Sequence, residues 1–409
     1  MEPAKIIGGG LAGCEAALQL SSAGYAVELI DVKPSRLLPA YQLKFYCELI
    51  CNNSLGNINN QTPLGLLLAE LDFLDSRLLA IAKECTVNDT RTISVDRQLF
   101  AERVTKVLYE SGVACKNEYI QKLPSTDSPL LIATGALTNE VLAGEISQKY
   151  NLPNYYLLDA SCPIVDGTSI DFSNHQLSQV SKDLFALRIP RVKFESFYEI
   201  LRNSSLQPNH NIDFCDVLVQ CKSLETIAKE GIEKLLSERF LPEGYNQATL
   251  LLRRESGLRN AFILVGCTTG LDHNAQRELF ALLPAFGNIR FFRYGCQHRN
   301  TYFSTPGFVD SFFKIKNITT DVYLIGQLSG LDGYAPAIAS GYVAAQHILN
   351  PKRKELPIDT MIGALSGYVS NVNIVDYQPM CASFSLIPKC DPLSVKAHSI
   401  CALQAWLNS

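Results

Sequence analysis

The sequence predicts an α/β protein in which a Rossmann-like dinucleotide-binding domain carries an inserted, smaller α/β domain. Three observations support this prediction. The chain opens with a strand, a glycine-rich turn and a helix, and a second strand–glycine–helix segment lies near its far end. Between about residues 166 and 285 the pattern changes to short strands, mixed helices and more aromatic and basic residues. With 409 residues, 47% of them hydrophobic, the chain is long enough for two or three domains with sizeable cores.

The first predicted unit is a βαβ segment. Residues 5–7 are typical of a short apolar strand, and residues 25–31 of a second buried strand. Between them, residues 11–23 are rich in Ala and Leu and predict a helix that ends at Gly24. A strand that leads through glycines into a helix is the context in which a turn binds the phosphates of a dinucleotide.

The turn of this unit carries a GxGxxG motif. Gly8 permits the tight turn, Gly10 lets the backbone approach a pyrophosphate, and Gly13 lets helix and strand pack closely. The helix N-terminus would face the phosphates with unpaired N–H groups and the positive end of its dipole. Asp31 ends the second strand, where an acidic residue would bond the ribose hydroxyls. The predicted nucleotide-binding residues here are Gly8, Gly9, Gly10, Leu11, Ala12, Gly13, Asp31 and Lys33.

Further elements complete the predicted domain. Apolar periodicity predicts helices over residues 64–85 and 94–111, and residues 129–134 predict a strand. This strand contains Ile-Ala-Thr-Gly, which resembles the Ala-Thr-Gly strand of FAD-dependent flavoproteins, so Thr134 and Gly135 are predicted to lie at the cofactor.

The far end of the chain favours FAD over NAD as the dinucleotide. A strand over residues 321–326 is followed by Gly330, Gly333 and a helix over residues 336–349, whose N-terminus could lie against a flavin. The last forty residues have no clear pattern. The predicted domains are a discontinuous FAD-binding domain of the glutathione-reductase type, residues 1–165 and 286–409, and an inserted substrate-binding or RNA-binding domain, residues 166–285.

Composition narrows the class of protein. No apolar run reaches the roughly 18 residues that span a bilayer, and the first residues lack a signal peptide, so we expect a cytoplasmic protein without membrane contact. The net charge of −4 argues weakly against broad nucleic-acid binding but leaves room for a local basic face. The thirteen cysteines include no CxxC pair, so no metal site is predicted.

Two cysteines stand out from the others by context. Cys51 lies in the polar segment Glu-Leu-Ile-Cys-Asn-Asn-Ser-Leu, just after the βαβ unit. Cys221 precedes Lys222 and a predicted helix over residues 224–236, and a cation with a helix N-terminus can lower the pKa of a thiol. Either cysteine could instead be structural.

A series of blocks over about residues 4–368 resembles the folate- and FAD-dependent tRNA (uracil-5-)-methyltransferases, the TrmFO family of small GidA relatives. The blocks include IIGGGLAGCEAALQL, KFYCELICNNSLGN, DASCPIVDGTSID, RYGCQHRNTYFSTP and IGQLSGLDGYAPAIASGYVA. The resemblance implies that 5,10-methylenetetrahydrofolate gives a one-carbon unit to reduced FAD, which passes it to carbon 5 of a uridine in the tRNA T-loop. It also implies NAD(P)H as the reductant.

The resemblance implies roles for both cysteines. Uracil carbon 5 is a poor nucleophile until a thiolate adds to carbon 6, and a base must later remove the proton from carbon 5. Cys221 matches the cysteine usually assigned as nucleophile, and Cys51 the second catalytic cysteine, a general acid or base. Which of the two plays which role stays open. The resemblance further places Asn53, Ser54, His298, Gln327, Asp332 and Gly333 at the cofactors, with a structural histidine as the alternative for His298.

The sequence also departs from the family pattern. Gly56 stands where an arginine is usual, and Cys221-Lys222-Ser223 stands where the family has Cys-Met-Pro. Such changes fall in the folate, substrate and inserted regions and leave the nucleotide turn largely intact. A uridine of large-subunit rRNA is therefore an alternative target, and a related flavoprotein without methyltransferase activity is a second alternative. The oligomeric state is not predicted.

Overall fold

A computed structural model describes residues 2–35, 41–87, 91–204, 216–217, 222–256, 260–374, 377–388, 391 and 393–408. For residues 157–159, 216–217, 256 and 298–299 the description is limited to the backbone. Cys221, one of the two predicted catalytic cysteines, lies outside the described residues.

The strands are, in chain order, β1 (Ala4–Ile7), β2 (Val27–Asp31), β3 (Ser54–Asn57), β4 (Thr92–Ser94), β5 (Ala114–Asn117), β6 (Leu130–Ile132), β7 (Asn154–Ala160), β8 (Ile164–Asp166), β9 (Leu177–Ser181), β10 (Leu184–Arg188), β11 (Asp216–Val217), β12 (Thr249–Ser256), β13 (Ala261–Leu264), β14 (Phe291–Arg293), β15 (Gln297–Phe303) and β16 (Val322–Leu324). The helices are α1 (Leu11–Ser22), α2 (Pro63–Phe73), α3 (Arg77–Glu84), α4 (Arg97–Glu110), α5 (Glu140–Tyr150), α6 (Arg191–Asn203), α7 (Leu224–Glu230), α8 (Ile232–Leu235), α9 (His273–Ala281), α10 (Tyr334–Leu349), α11 (Met361–Ser370) and α12 (Val395–Leu407).

The Rossmann-like prediction is confirmed by a five-stranded sheet in the order β16-β6-β1-β2-β5, in which every pair is parallel. Strands β1, β6 and β16 are short and almost wholly buried, as expected when helices cover both faces. The strand order reverses beside β1, and α1 and α10, the helices that follow β1 and β16, pack tightly on each other. A Cβ added at Gly341 of α10 would lie 2.2 Å from the main-chain oxygen of Ala12, so this contact requires glycine.

A second, six-stranded sheet is antiparallel, in the order β14-β8-β13-β12-β10-β9. It shares an apolar core with α6, α7 and α9. Its strands begin at Ile164 and end at Arg293, so we propose that the inserted domain extends slightly beyond residues 166–285 at both ends. The helix predicted over residues 224–236 is divided into α7 and α8 at Gly231, whose φ is +125°. Strands β11, β7 and β15 form a third sheet, in the order β11-β7-β15.

The prediction of one helix over residues 64–85 is wrong, because the chain forms two helices there, α2 and α3. They are separated near Asp75, whose φ is +56°. The break is stabilised from another helix. The buried carboxylate of Glu15 in α1 accepts hydrogen bonds from Ser76 Oγ at 3.0 Å and from the N–H of Leu78 at 2.8 Å. A carboxylate at this position satisfies the first N–H groups of α3 and favours a new helix start. The helices predicted over residues 94–111 and 336–349 are confirmed as α4 and α10 with shifted ends.

The last forty residues, left unassigned from the sequence, contain α12. Helix α12 packs on α2, where the buried carboxylate of Glu70 accepts a hydrogen bond from Ser399 Oγ at 2.5 Å. The same carboxylate accepts from the N–H groups of Met361 at 2.7 Å and Ile362 at 2.8 Å, at the start of α11. Burial raises the pKa of Glu70 to about 7. Among the described helices, none has the length and apolar character needed to cross a bilayer.

Candidate functional site

The glycine turn between β1 and α1 is shaped by close backbone contacts. Gly8 has a φ of +112°, and a Cβ there would lie 2.3 Å from the main-chain oxygen of Ala133. A Cβ at Gly13 would lie 2.0 Å from the oxygen of Gly8. At Gly10, in contrast, a Cβ would meet nothing within 4 Å. The first and third glycines of the motif are therefore required by contacts within the protein. The second faces open space, where a ligand could approach the main chain closely.

Asp31 supports the turn from the end of β2. Its carboxylate accepts hydrogen bonds from the N–H of Gly9 at 2.6 Å and from the N–H of Lys33 at 2.8 Å. Gly10 caps α1 without any side-chain hydrogen bond, whereas Asp96 caps α4 through its carboxylate. The α1 N-terminus, which begins with Leu11 and Ala12, thus keeps N–H groups that a phosphate can accept from.

A cleft opens beside the turn, over the carboxyl ends of β1, β2 and β6. Asp31 and Thr134 line it from two different strands, and Thr134 Oγ1 lies 2.7 Å from Thr138 Oγ1. Gly135, in the left-handed region at φ +70°, turns the chain away after β6. The full lining is Ile7, Gly8, Ile30, Asp31, Val32, Tyr41, Glu118, Tyr119, Ile120, Thr134, Leu137, Thr138, Asn139 and Leu142. Ligands of open α/β sheets bind in this kind of crevice, beyond the carboxyl ends of the strands.

Lys33 has a partner inside the protein. Its ammonium group forms a buried ion pair with Glu48 at 2.7 Å and donates to the main-chain oxygen of Phe45 at 2.9 Å. Glu48 also accepts from the N–H groups of Gln42 at 2.8 Å and Leu43 at 3.1 Å. The ion pair holds the segment that leads to Cys51 in place, so Lys33 supports this segment. The contact of Lys33 with a cofactor stays a prediction.

The other predicted cofactor residues near the far end lie around the start of α10. Gln327 is in a short 3₁₀ turn after β16, and the N–H of Asp332 donates to the oxygen of Met380 at 2.9 Å. Gly333, at φ +106°, precedes α10 and gives it no side-chain cap. The hydroxyl of Tyr334, the first residue of α10, accepts from the N–H groups of Cys51 at 2.8 Å and Asn52 at 3.2 Å. The start of α10 and the Cys51 loop are therefore in direct contact.

Two arginines hold the Cys51 loop by its carbonyl groups. Arg97 of α4 donates through Nη1 to the oxygens of Leu49 and Ile50, the latter at 3.1 Å. Arg293 of β14 donates to the oxygen of Ile50 at 2.7 Å and to that of Cys51 at 3.3 Å. Both guanidinium groups are buried, and burial lowers the pKa of Arg293. The half-buried Cys51 side chain thus lies on a loop whose backbone is fixed from two sides.

The inserted sheet completes this junction. Glu255 of β12 pairs with Arg97 at 2.5 Å. The side-chain amide of Asn53 donates to the main-chain oxygens of Val95 at 3.0 Å and Arg254 at 3.3 Å. It therefore connects the Cys51 loop both to the segment before α4 and to β12 of the antiparallel sheet. Ser54 follows at the start of β3, and its N–H donates to Asn52 Oδ1 at 2.8 Å.

Four buried side-chain atoms at this junction have no hydrogen-bond partner within the described parts of the chain: Asn53 Oδ1, Arg97 Nη2, Glu255 Oε2 and Arg293 Nε. Buried polar atoms are nearly always paired with protein or water. Two donors and two acceptors placed together are suited to a polar, hydrogen-bonding ligand or to ordered water beside Cys51. The junction therefore fits a group that both donates and accepts.

Several residues of this junction were missed from the sequence. Arg97, Glu255 and Tyr334 were not singled out, and Arg293 was only part of the RYGCQHRNT block. Arg293 and Tyr334 lie in blocks quoted above for the family resemblance, and Arg97 lies in a further such block, SVDRQLFAERV. The resemblance is therefore a signal that could have identified these three residues. His298 contributes backbone to β15, where it is opposite Asp159. The structure brings Cys51 and Asn53 together on one loop, which the Tyr334 hydroxyl contacts from the start of α10. The position of Cys221 relative to them stays a prediction. Within the described residues, no group of His, Cys, Asp or Glu could hold a metal ion.

Comparisons with known proteins cover nearly the whole chain. The model of the family described as glucose inhibited division protein A matches residues 3–355. The methylenetetrahydrofolate–tRNA-(uracil-5-)-methyltransferase TrmFO of Bacillus subtilis is 32% identical, over 96% of this chain and 93% of that protein. The protein of the same name from Halalkalibacterium halodurans is 33% identical, over 94% and 92%. Aquifex aeolicus GidA superposes with a TM-score of 0.74 at 16% identity, over 99% of this chain and 73% of that chain, and shares the fold.

Proposed function

Because the chain belongs to the glucose inhibited division protein A family and, within it, to the TrmFO methyltransferases, we propose that it methylates carbon 5 of a uridine in the T-loop of tRNA. The proposed carbon donor is 5,10-methylenetetrahydrofolate. The observation that supports this most strongly is 32–33% identity to relatives of that name over at least 94% of the chain. We also propose that the enzyme acts in the cytoplasm.

FAD fits the site described above. The glycine turn and the uncapped start of α1 suit its pyrophosphate, and Asp31 and the cleft beside it suit its adenosine end. The uncapped start of α10, next to Cys51, suits the flavin end. When bound, FAD supplies the redox chemistry that converts the folate's one-carbon unit into a methyl group, with NAD(P)H as reductant.

The chain itself supplies the thiols. Cys221 adds to carbon 6 of the uracil and makes carbon 5 nucleophilic, and Cys51 takes the proton from carbon 5 after the carbon unit is attached. The guanidinium of Arg293 donates to the main-chain oxygen of Cys51 at 3.3 Å and so helps to hold the loop that carries the thiol. The buried side chains of Arg97 and Arg293 hold the backbone of the Cys51 loop in place.

The test is transfer of labelled carbon from methylenetetrahydrofolate to a tRNA transcript by the FAD-loaded protein with NAD(P)H. We expect 5-methyluridine in the T-loop, and loss of label in C51A and C221A. C401A is the matched control, because Cys401 is an exposed cysteine of α12, and it should retain full activity. A flavin-loaded protein that transfers no label to tRNA would contradict the proposal. Label in a large-subunit rRNA fragment and none in tRNA would favour the alternative target.

A further inference from the structure

A ladder of stacked rings leads from the core of the antiparallel sheet to the surface. Phe291 and Tyr294 stack with ring centroids 4.6 Å apart and planes 18° apart. Tyr294 and His273 stack in turn at 4.0 Å and 11°. His273, the first residue of α9, is exposed and forms the outer end of the ladder. The outer face of its ring is thus parallel to the rings beneath it and open to solvent.

The ladder is mounted rigidly. The buried side chain of Gln276 accepts from the N–H of Gly295 at 2.8 Å and donates to the oxygen of the same residue at 2.8 Å, which fastens the turn after Tyr294 to α9. Arg277, one turn after His273, donates to the Tyr294 hydroxyl at 2.8 Å. The rings of His273 and Tyr294 therefore lose little conformational freedom when an RNA base stacks on the ladder. The entropic cost of binding is correspondingly small.

The ladder is connected to the candidate active site along the chain. Tyr294 directly follows Arg293, whose guanidinium donates to the main-chain oxygen of Cys51 at 3.3 Å. Small cofactors bury most of their surface in concave pockets, whereas an exposed flat ring suits a base that protrudes from a loop.

We propose that His273, supported by the Tyr294 ring stacked beneath it, forms a stacking platform for an unpaired RNA base that neighbours the target uridine. This inference rests on the proposed function and specifies how the RNA is held. Aromatic platforms bind unpaired bases with little sequence preference, because every base presents a flat face. A guanidinium at the edge of the platform, here that of Arg277, adds attraction to the base and to the RNA backbone.

The test compares binding of two RNAs to the FAD-loaded protein by fluorescence anisotropy: a T-arm hairpin with its loop, and a blunt duplex of equal charge. H273A should bind the hairpin roughly tenfold more weakly and the duplex unchanged, and H273F should restore hairpin binding. The matched control is H175A, an exposed histidine before β9 at the opposite edge of the same sheet, which should match the wild type. The KM for methylenetetrahydrofolate should stay the same in H273A.

The outcomes separate this inference from the function. Unchanged hairpin affinity in H273A, beside a wild type that binds the hairpin, would overturn the platform alone. Equal weakening for hairpin and duplex would point to backbone charge and overturn it too. A raised KM for folate with normal RNA binding would also overturn it. A wild type that binds neither RNA would overturn the proposed function, and the platform with it.

Discussion

One guanidinium nitrogen of Arg293 donates to the main-chain oxygens of both Cys51 and Cys162, each at 3.3 Å. Cys51 lies on the loop after the βαβ unit, and Cys162 immediately precedes the inserted sheet. A single side chain therefore fixes the loop of a proposed catalytic thiol relative to the other domain. Burial raises the pKa of the Cys162 thiol to about 11, which favours its neutral form near pH 7.

R293Q should lower kcat by roughly tenfold to a hundredfold with little change in the KM for RNA, because it removes charge-assisted hydrogen bonds to the Cys51 loop. R293K should recover part of the rate. R290Q, which alters an exposed arginine just before the same strand, is the control. An R293Q enzyme with normal kcat would exclude this positioning role.

Breaking the buried Arg97–Glu255 pair should destabilise the protein strongly. E255Q is expected to lower the free energy of unfolding by about 3 kcal/mol, because it leaves a buried guanidinium without a full countercharge. E195Q breaks an exposed pair with Arg191 and should leave the free energy of unfolding almost unchanged. Denaturant titration of the FAD-loaded proteins measures both. Similar values for the two variants would show that the junction pair contributes no more than a surface pair.

Glu70 should make stability depend on pH. Its pKa is about 7 in the folded protein, against an ordinary value of 4.5 for a solvated glutamate in the unfolded chain, so the folded state favours the protonated form. The stabilisation is complete below about pH 4.5 and is lost as the pH rises through about 7, by up to about 3 kcal/mol. Wild type should therefore lose stability relative to E70Q between pH 5 and pH 8 in urea titrations. A constant difference between the two proteins over that range would contradict this prediction.

G13A should abolish FAD binding, measured as visible absorbance of the purified protein, because a Cβ there would lie 2.0 Å from the oxygen of Gly8. G144A is the matched control. Gly144 lies inside α5, where a Cβ meets nothing within 4 Å, so alanine should leave FAD binding intact and stabilise the helix by up to about 1 kcal/mol. Normal flavin content in G13A would show that the turn tolerates a wider approach of helix and strand.

The features that could be predicted from the sequence are those that depend on residues close together in the chain. The βαβ unit, its glycine turn and α10 follow from local apolar patterns and glycines. The division of residues 64–85 could not be predicted, because the carboxylate that favours it comes from Glu15 in another helix. The junction around Cys51 depends on Arg97, Glu255 and Arg293, which the fold brings together from distant parts of the chain. Local context singled out Cys51, and the family resemblance then implied a catalytic role for it.

The hydroxyl of Tyr334 bonds the backbone of Cys51 and Asn52, residues that are synthesised more than 280 positions earlier. During translation the Cys51 loop is therefore made long before the residues that fix it. Arg293 and then Tyr334 must leave the ribosome before the loop can take its final shape. A nascent or truncated chain would present Cys51 on an unsupported loop, so the proposed catalytic thiol acquires its surroundings only when the chain is nearly complete.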